Sequence, residues 1–206
     1  MRSSLARASD HKSNVLPGTT TRATHDAALI ERIAQGDRDA MLVLFTGHQV
    51  RVFRFILRFI GDRTLAEDLT SEVFLDVWRQ AGQFEGRSTV STWMLAMARY
   101  KALATRRRRT EDQLDEEVVD AIEDESDNPE EAAQKKDRGE ILRRCLGKLS
   151  PEHRQIVDLV YYHEKSVDEA AQILAIPENT VKTRLFHARK RLSVLASDAG
   201  LDRSYL

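Results

Sequence analysis

The segment from Ser166 to Leu192 constrains this chain more than any other. Ser166-Val-Asp-Glu169 is a capping box, in which a serine and a glutamate three residues later satisfy each other's end of a first helical turn. A short helix over Val167–Leu174 follows, with Ala170, Ala171, Ile173 and Leu174 on its buried side, and Ala175-Ile176-Pro177 breaks it. A second helix runs from about Glu178 to Leu195 and buries Val181, Leu185 and Leu192. Small residues at 170 and 171 let the two helices cross closely. That is the pattern of a helix-turn-helix, whose second helix projects into a DNA major groove. Lys182, Arg184, His187, Arg189 and Lys190 point away from its buried side, suited to phosphate neutralisation and to contacts with guanine edges. The competing reading is a solvated basic helix in a bundle with no ligand.

The rest of the chain is also helical. Of 206 residues, 41% are hydrophobic and 32% charged, with only 9 glycines and 4 prolines, too few turn formers for a β-sandwich. Residues 1–25 are rich in Ser, Thr, Arg and Ala and read as a disordered tail. Residues 26–110 read as a first helical domain. Leu42, Phe45, Val52, Ile56 and Phe59 form one stripe, and Leu65, Leu69, Val73 and Val77 another on a helix beginning near Thr64. A loop covers Gly82–Arg87, and a third helix covers Trp93–Arg109, with Trp93 and Met97 inward and Tyr100 or Lys101 at the edge. Residues 111–136 are acidic, carry Asn128-Pro129 and read as a linker. The second domain spans 137–196, with Ser150-Pro151 starting a helix, and 197–206 form a C-terminal tail. The expected fold is therefore all-α: two small helical domains, the second a helix-turn-helix, joined by an acidic linker.

A net charge of −1 conceals strong segregation. Glu111–Glu131 contains many carboxylates and no Lys or Arg, whereas Arg99, Lys101 and Arg106-Arg107-Arg108-Arg109 precede it and Lys182–Arg191 follows. Two basic segments can bind a polyanion whatever the total charge. Asp68, Glu72 and Asp76 fall at i, i+4 and i+8, an acidic ridge that suits a basic partner, with Phe74 and Trp78 as apolar anchors. The alternative is an ordinary acidic solvent face with both aromatics in the core. Phe84–Arg109 interleaves Ser88, Thr89, Ser91, Thr92, Trp93 and Tyr100 with cations, the composition that stacks and holds single-stranded bases. Trp93 fits core packing equally well.

Several chemistries find no support. There is no His/Cys/Asp cluster with metal spacing, no glycine-rich phosphate loop and no arguable nucleophile–base pair, so no enzyme activity, metal or cofactor is expected. Cys145 is alone. No uninterrupted apolar run of about 18 residues and no signal-peptide core occur, so a cytoplasmic protein without membrane contact of its own is expected.

Taken together, these stretches resemble the extracytoplasmic-function (ECF) branch of the sigma-70 family. Ala66-Glu-Asp-Leu-Thr-Ser-Glu-Val-Phe-Leu-Asp-Val-Trp78 is similar to the family's polymerase-clamp helix. Phe84-Glu-Gly-Arg-Ser-Thr-Val-Ser-Thr-Trp-Met-Leu-Ala-Met-Ala-Arg99 resembles the segment that melts and reads the minus-ten element. Leu149-Ser-Pro-Glu-His-Arg154 and Ser166–Leu192 resemble the domain that reads the minus-thirty-five element. The resemblance implies a non-enzymatic factor that binds core RNA polymerase, at the clamp coiled coil of its largest subunit and at its flap, and directs promoter recognition and melting. It also implies an anti-sigma factor acting in a stress response. Asp68, Glu72, Phe74 and Trp78 would meet the polymerase. Trp93, Arg99, Tyr100, Lys101, Arg106 and Arg107 would meet the minus-ten strand. Thr180, Lys182, Thr183, Arg184, His187 and Arg189 would meet the minus-thirty-five duplex. The sequence departs from the family at Tyr100, where Asn is frequent, and at Ala175 and Asn179, where Gly is common. The rival readings are a stand-alone helix-turn-helix regulator, which would bind duplex tightly without polymerase, and a sigma-like decoy for an anti-sigma factor.

Overall fold

A computed structural model of the chain describes residues 17–112, 139, 141, 142 and 144–200, and among these there is no strand. Helix α1 covers Pro17–Ala34, α2 Arg38–Ile60 and α3 Arg63–Gln80, and a 3₁₀ turn over Ala81–Gln83 leads through a loop to α4, Val90–Asp112. After the helical turn at 144–147 come α5 (Pro151–Val157), which continues as a π-turn over Asp158–Tyr162, then α6 (Val167–Leu174) and α7 (Glu178–Asp198). Helix α1 starts inside the segment expected to be tail, and α4 runs two residues past the expected linker start. Most of the acidic segment, 113–136, lies outside the described residues.

Helices α2 and α3 begin where an aspartate satisfies free amides of the first turn. The Asp37 carboxylate accepts from the Asp39 and Ala40 N–H groups, and Asp62 accepts from that of Leu65. These backbone bonds, ahead of Arg32 and Arg109 respectively, hold both carboxyl groups below the usual aspartate range. Gly61 ends α2 at φ +79, in the left-handed region that glycine adopts without a Cβ clash.

The core of the first four helices is built on Leu44, Val52, Phe55 and Ile56 of α2, Leu69, Val73 and Val77 of α3, and Met94, Leu95 and Ala98 of α4. Complete burial of such side chains contributes about 1.5–3 kcal/mol apiece. The expected α2 stripe is shifted. Leu42 is 64% exposed, and the buried line runs Ala40, Leu44, His48, Val52, Phe55 and Ile56. Helix α2 is so apolar that spacings of three, four and seven fit two phases. The choice falls to α1, whose buried Asp26 accepts from His48 Nε2 at 2.8 Å. By length and composition α2 could also cross a bilayer, but its apolar face is packed against α1, α3 and α4, as in the central helix of a bundle.

On α4 the inner face is Val90, Met94, Leu95, Ala98 and Ala102. Trp93 and Met97 are half-buried at its flank, and Tyr100 is 76% exposed rather than at the core edge. Ala98 and Ala102 on this face are completely buried, small enough to let a neighbouring helix pack closely.

Helices α5 to α7 form the second module. The expected buried residues of α6 and α7 are all buried, joined by Ala188 and Leu195. The two modules are in contact. Ile156, Leu159, Ala170, Ile173 and Val181 share one apolar cluster with the α1–α4 core, while Cys145, Leu149, Val157, Ala188, Leu192 and Leu195 form a smaller one.

Candidate polymerase and nucleic-acid interfaces

The acidic ridge of α3 is partly neutralised from within. Lys101 of α4 places Nζ 3.0 Å from Glu72 Oε2 and 2.8 Å from Asp76 Oδ2. Burial alone would lower the Lys101 pKa, but the hydrogen bonds and charges of Asp76 and Glu72 outweigh it and raise it. Lys101 therefore braces α4 against α3 instead of standing free on the minus-ten side. It also explains why three like charges at helical spacing are tolerated. Asp68 is exposed and has no ion-pair partner among the described residues.

Beside the ridge, an apolar groove between α2 and α3 is lined by Arg38, Met41, Phe45, Ser71, Phe74, Leu75 and Trp78. Phe74 is 4% exposed, edge-to-face with Phe45 at 4.8 Å, and forms the floor of this groove rather than an outward anchor. The groups that face outward are Trp78, Leu75 and, on α2, Leu42. Sequence reasoning placed Leu42 in the core stripe and did not single out Leu75, which falls between Phe74 and Asp76 and outside the Leu65, Leu69, Val73 and Val77 stripe.

On α4, Trp93 is half-buried with its ring centroid 5.0 Å from that of Phe84. Tyr100 projects fully, one position from the half-buried Arg99. Arg99 Nε has no hydrogen-bond partner among the described residues, and burial, then the positive charge of Arg184, lowers the Arg99 pKa. Further along, Arg106 lies 5.3 Å from the Phe59 ring centroid, Arg107 is exposed, and Arg109 pairs with Asp62 at 3.2 Å. The cationic tract is thus divided between bracing and exposed positions.

The helix-turn-helix is built as its sequence dictates. Ser166 Oγ accepts from the Glu169 N–H, and Glu169 Oε2 accepts from the Ser166 N–H, each at 3.1 Å. Ala175 turns the chain at φ +50, a left-handed conformation in an alanine, whereas Asn179 sits in the first turn of α7 and needs no unusual backbone angle. The outer face of α7 carries Lys182, Thr183, His187 and Arg189, all exposed, with Thr180 and Arg184 half-buried. Lys182 lies 3.4 Å from Glu178, Thr183 Oγ1 donates to the Asn179 carbonyl, and Arg189 Nε donates to Tyr161 Oη at 2.6 Å.

Two family models match the chain, "Sigma-70 region 2" over residues 44–111 and "Sigma-70, region 4" over residues 139–192. The chain belongs to the sigma-70 family. Its similarity to the ECF RNA polymerase sigma factor SigK of Mycobacterium ulcerans is 28% identity over 180 residues, covering 86% of this chain and 96% of that protein. With the RNA polymerase sigma-H factor of Pseudomonas aeruginosa it is 29% over 177 residues, covering 81% and 91%. Among solved structures, CnrH in complex with the cytosolic domain of CnrY matches with a TM-score of 0.62 at 22% identity, over 84% of this chain and 98% of that one. The sigma factor RpoE of Bartonella quintana, in complex with the anti-sigma factor NepR, matches with a TM-score of 0.59 at 20% identity, over 74% and 94%. The chain is therefore an ECF sigma factor, a class whose activity is promoter-directed transcription initiation rather than catalysis. A stand-alone helix-turn-helix regulator would not carry the region-2 module.

The sigma factor's expected site residues are not all gathered on open surfaces. Asp68 and Trp78 share the outer side of α3, and the residues named on α7 share one helix. Phe74 and Lys101 are committed to intramolecular contacts. Sequence reasoning also missed a group that joins the modules. Glu169 Oε1 accepts from Thr92 Oγ1 at 2.5 Å, from Thr89 Oγ1 at 3.0 Å and from Lys165 Nζ at 2.9 Å. Burial pushes the Glu169 pKa up, but the hydrogen bonds from Thr92 and Lys165 and the Lys165 charge dominate and bring it to about 2. Burial also lowers the Lys165 pKa, against the opposing pull of Glu169. The i, i+4 spacing of Lys165 and Glu169 was a visible signal of their pairing, but nothing in the sequence tied them to Thr89 and Thr92.

Proposed function

We propose that this sigma factor grips core RNA polymerase through the outer edge of α3, with Asp68 and Glu72 meeting a basic partner and Trp78 and Leu75 supplying apolar contact. Phe74 supports that surface from beneath. Helix α4 then receives the melted minus-ten strand, on which Trp93 and Tyr100 offer rings and Arg99, Arg106 and Arg107 offer cations. Helix α7 enters the minus-thirty-five major groove, where Arg184 and Arg189 contact bases or phosphates and Thr180, Lys182, Thr183 and His187 fix the register. Region 2 would extend over 26–110 and region 4 over 137–196, with the acidic segment joining them. Two weak reading modules on one chain raise each other's effective concentration, so modest contacts at each element suffice.

The observation that carries this reading is the division of α7 into a buried face of Val181, Leu185, Ala188 and Leu192 and a face of exposed Lys182, Thr183, His187 and Arg189. Its sequence relatives are named as sigma factors. Because CnrH and RpoE are held by CnrY and by the anti-sigma factor NepR, we extend anti-sigma control in a stress response, inside the cytoplasm, to this protein. Run-off transcription with purified core enzyme and a promoter library tests the reading. Asp68→Lys is expected to abolish co-purification with core while leaving helix content intact, and unchanged co-purification would remove α3 from the polymerase interface.

A further inference from the structure

The π-turn over Asp158–Tyr162 sends two adjacent tyrosines to different partners. Its closing bond runs from the His163 N–H to the Asp158 carbonyl, and this wider turn re-aims the side chains it carries. Tyr162 lies against Arg58 of α2, whereas the Tyr161 hydroxyl accepts from Arg189 Nε of α7 at 2.6 Å. The Arg189 guanidinium carbon also lies 5.6 Å from the Tyr161 ring centroid. Both side chains are exposed, Tyr161 by 49%, and neither belongs to the apolar clusters of the fold. Arg189 follows the buried Ala188 and has the buried Leu185 and Leu192 one helical turn to either side, so it stands at the flank of α7. Thr183, Phe186 and Lys190 hold the centre of the outer face. The nature of the Arg189 partner matters. A carboxylate would fix an arginine but cancel its charge, as Asp62 does for Arg109, whereas a phenol oxygen fixes it and leaves the charge intact.

We propose that Tyr161 is a positioning residue for DNA binding, which holds Arg189 ready for a backbone phosphate of duplex DNA at the flank of α7. The inference rests on α7 being the helix that reads the minus-thirty-five element, and it deepens that reading by setting Arg189 apart from the base-reading positions. Tyr161 engages Arg189 through Nε alone, so both terminal amino groups are without a hydrogen-bond partner among the described residues. That fork matches the oxygens of a phosphate, which it can meet with two parallel hydrogen bonds. When a recognition helix enters the major groove, the structure beside it crosses the sugar-phosphate backbone, and contacts there position the protein. A free arginine must be ordered when DNA arrives, at a cost in affinity, whereas Tyr161 orders this one beforehand. Phosphates are alike at every step of the duplex, so the contact is indifferent to base sequence.

The test compares the full-length wild type with Tyr161→Phe, Arg189→Ala and the double variant. Fluorescence anisotropy reads affinity for a labelled duplex of random sequence across a series of low salt concentrations, and circular dichroism melts check that each variant folds. Tyr161→Phe is expected to weaken binding about three- to tenfold with melting temperature and salt slope unchanged, because the positive charge stays and only its ordering is lost. Arg189→Ala is expected to weaken binding further and to reduce the slope of log affinity against log salt by about one. The double variant should bind like Arg189→Ala. Wild-type affinity in Tyr161→Phe would overturn the proposal, as would an additive loss in the double variant, which would make Tyr161 a contact of its own. A salt slope unchanged by Arg189→Ala would remove the phosphate. Side-chain NMR gives an independent check. The Arg189 Nε–H should exchange with water faster in Tyr161→Phe, and equal exchange would show that the hydroxyl does not hold it. Should the wild type fail in run-off transcription from every promoter tried, the sigma-factor reading falls, while the duplex-binding comparison still decides the roles of Tyr161 and Arg189.

Discussion

The pairing of Lys165 with Glu169 makes a sharp quantitative prediction. Lys165 is almost fully enclosed, and its ammonium has Glu169, Thr92 and, at 3.5 Å, Thr89 as its polar partners. Glu169→Gln keeps an oxygen for the capping box, since glutamine serves at that position, but it removes the charge that offsets the lysine. Breaking a fully buried pair from one side costs about 3–5 kcal/mol. Here the carboxylate is 22% exposed and Thr92 remains as an acceptor, so we expect a smaller loss, about 1–3 kcal/mol. Lys165→Met alone removes the buried cation and leaves Glu169 with its two threonines and the Ser166 amide, at a loss of about 1 kcal/mol. The double variant Lys165→Met/Glu169→Gln has neither a stranded charge nor a lost cap and should lie close to the wild type, giving a coupling of about 2–4 kcal/mol. Urea denaturation of the full-length proteins, followed by ellipticity, measures all four corners of this cycle. Additivity within about 0.5 kcal/mol would show that the two groups are independent and would refute the argument.

Three further outcomes are expected. Acid should weaken the protein through Glu169: its carboxyl titrates near 2 when folded against an ordinary value of 4.5, so its contribution is complete above about 4.5 and fades as pH falls toward 2, which thermal melts across that range would detect and which Glu169→Gln should abolish. Ala175→Gly should stabilise the helix-turn-helix by about 0.5–1 kcal/mol by relieving a left-handed alanine, and a lower melting temperature would contradict the strain assigned to that turn. Arg184→Ala should cost about 1–3 kcal/mol of binding to promoter duplex if it contacts a base, and an equal loss on random duplex would reduce it to a phosphate contact.

The local sequence decided every feature that depends on neighbours within about one helical turn. Ser166 and Glu169 cap α6, Asp37 and Asp62 accept from the first amides of α2 and α3, and Ala170, Ile173 and Leu174 select the buried side of a helix too short to offer another. In α7, Val181, Leu185 and Leu192 left one face for the cations, and so the exposed positions of Lys182, His187 and Arg189 were legible without coordinates.

Tertiary structure decided what helical spacing leaves degenerate. The apolar richness of α2 allowed two phases, and the Asp26–His48 contact from α1 chose the one that exposes Leu42. The loss of Lys101 to Glu72 and Asp76 and of Phe74 to Phe45 followed from how α4 and α2 lie against α3. The bond from Thr92 to Glu169 joins residues 77 positions apart. Capping and amphipathic spacing act over three to seven residues, so they specify each helix and its inward side. Which charges remain free, and whether two modules touch, depends on partners that only the folded chain brings together.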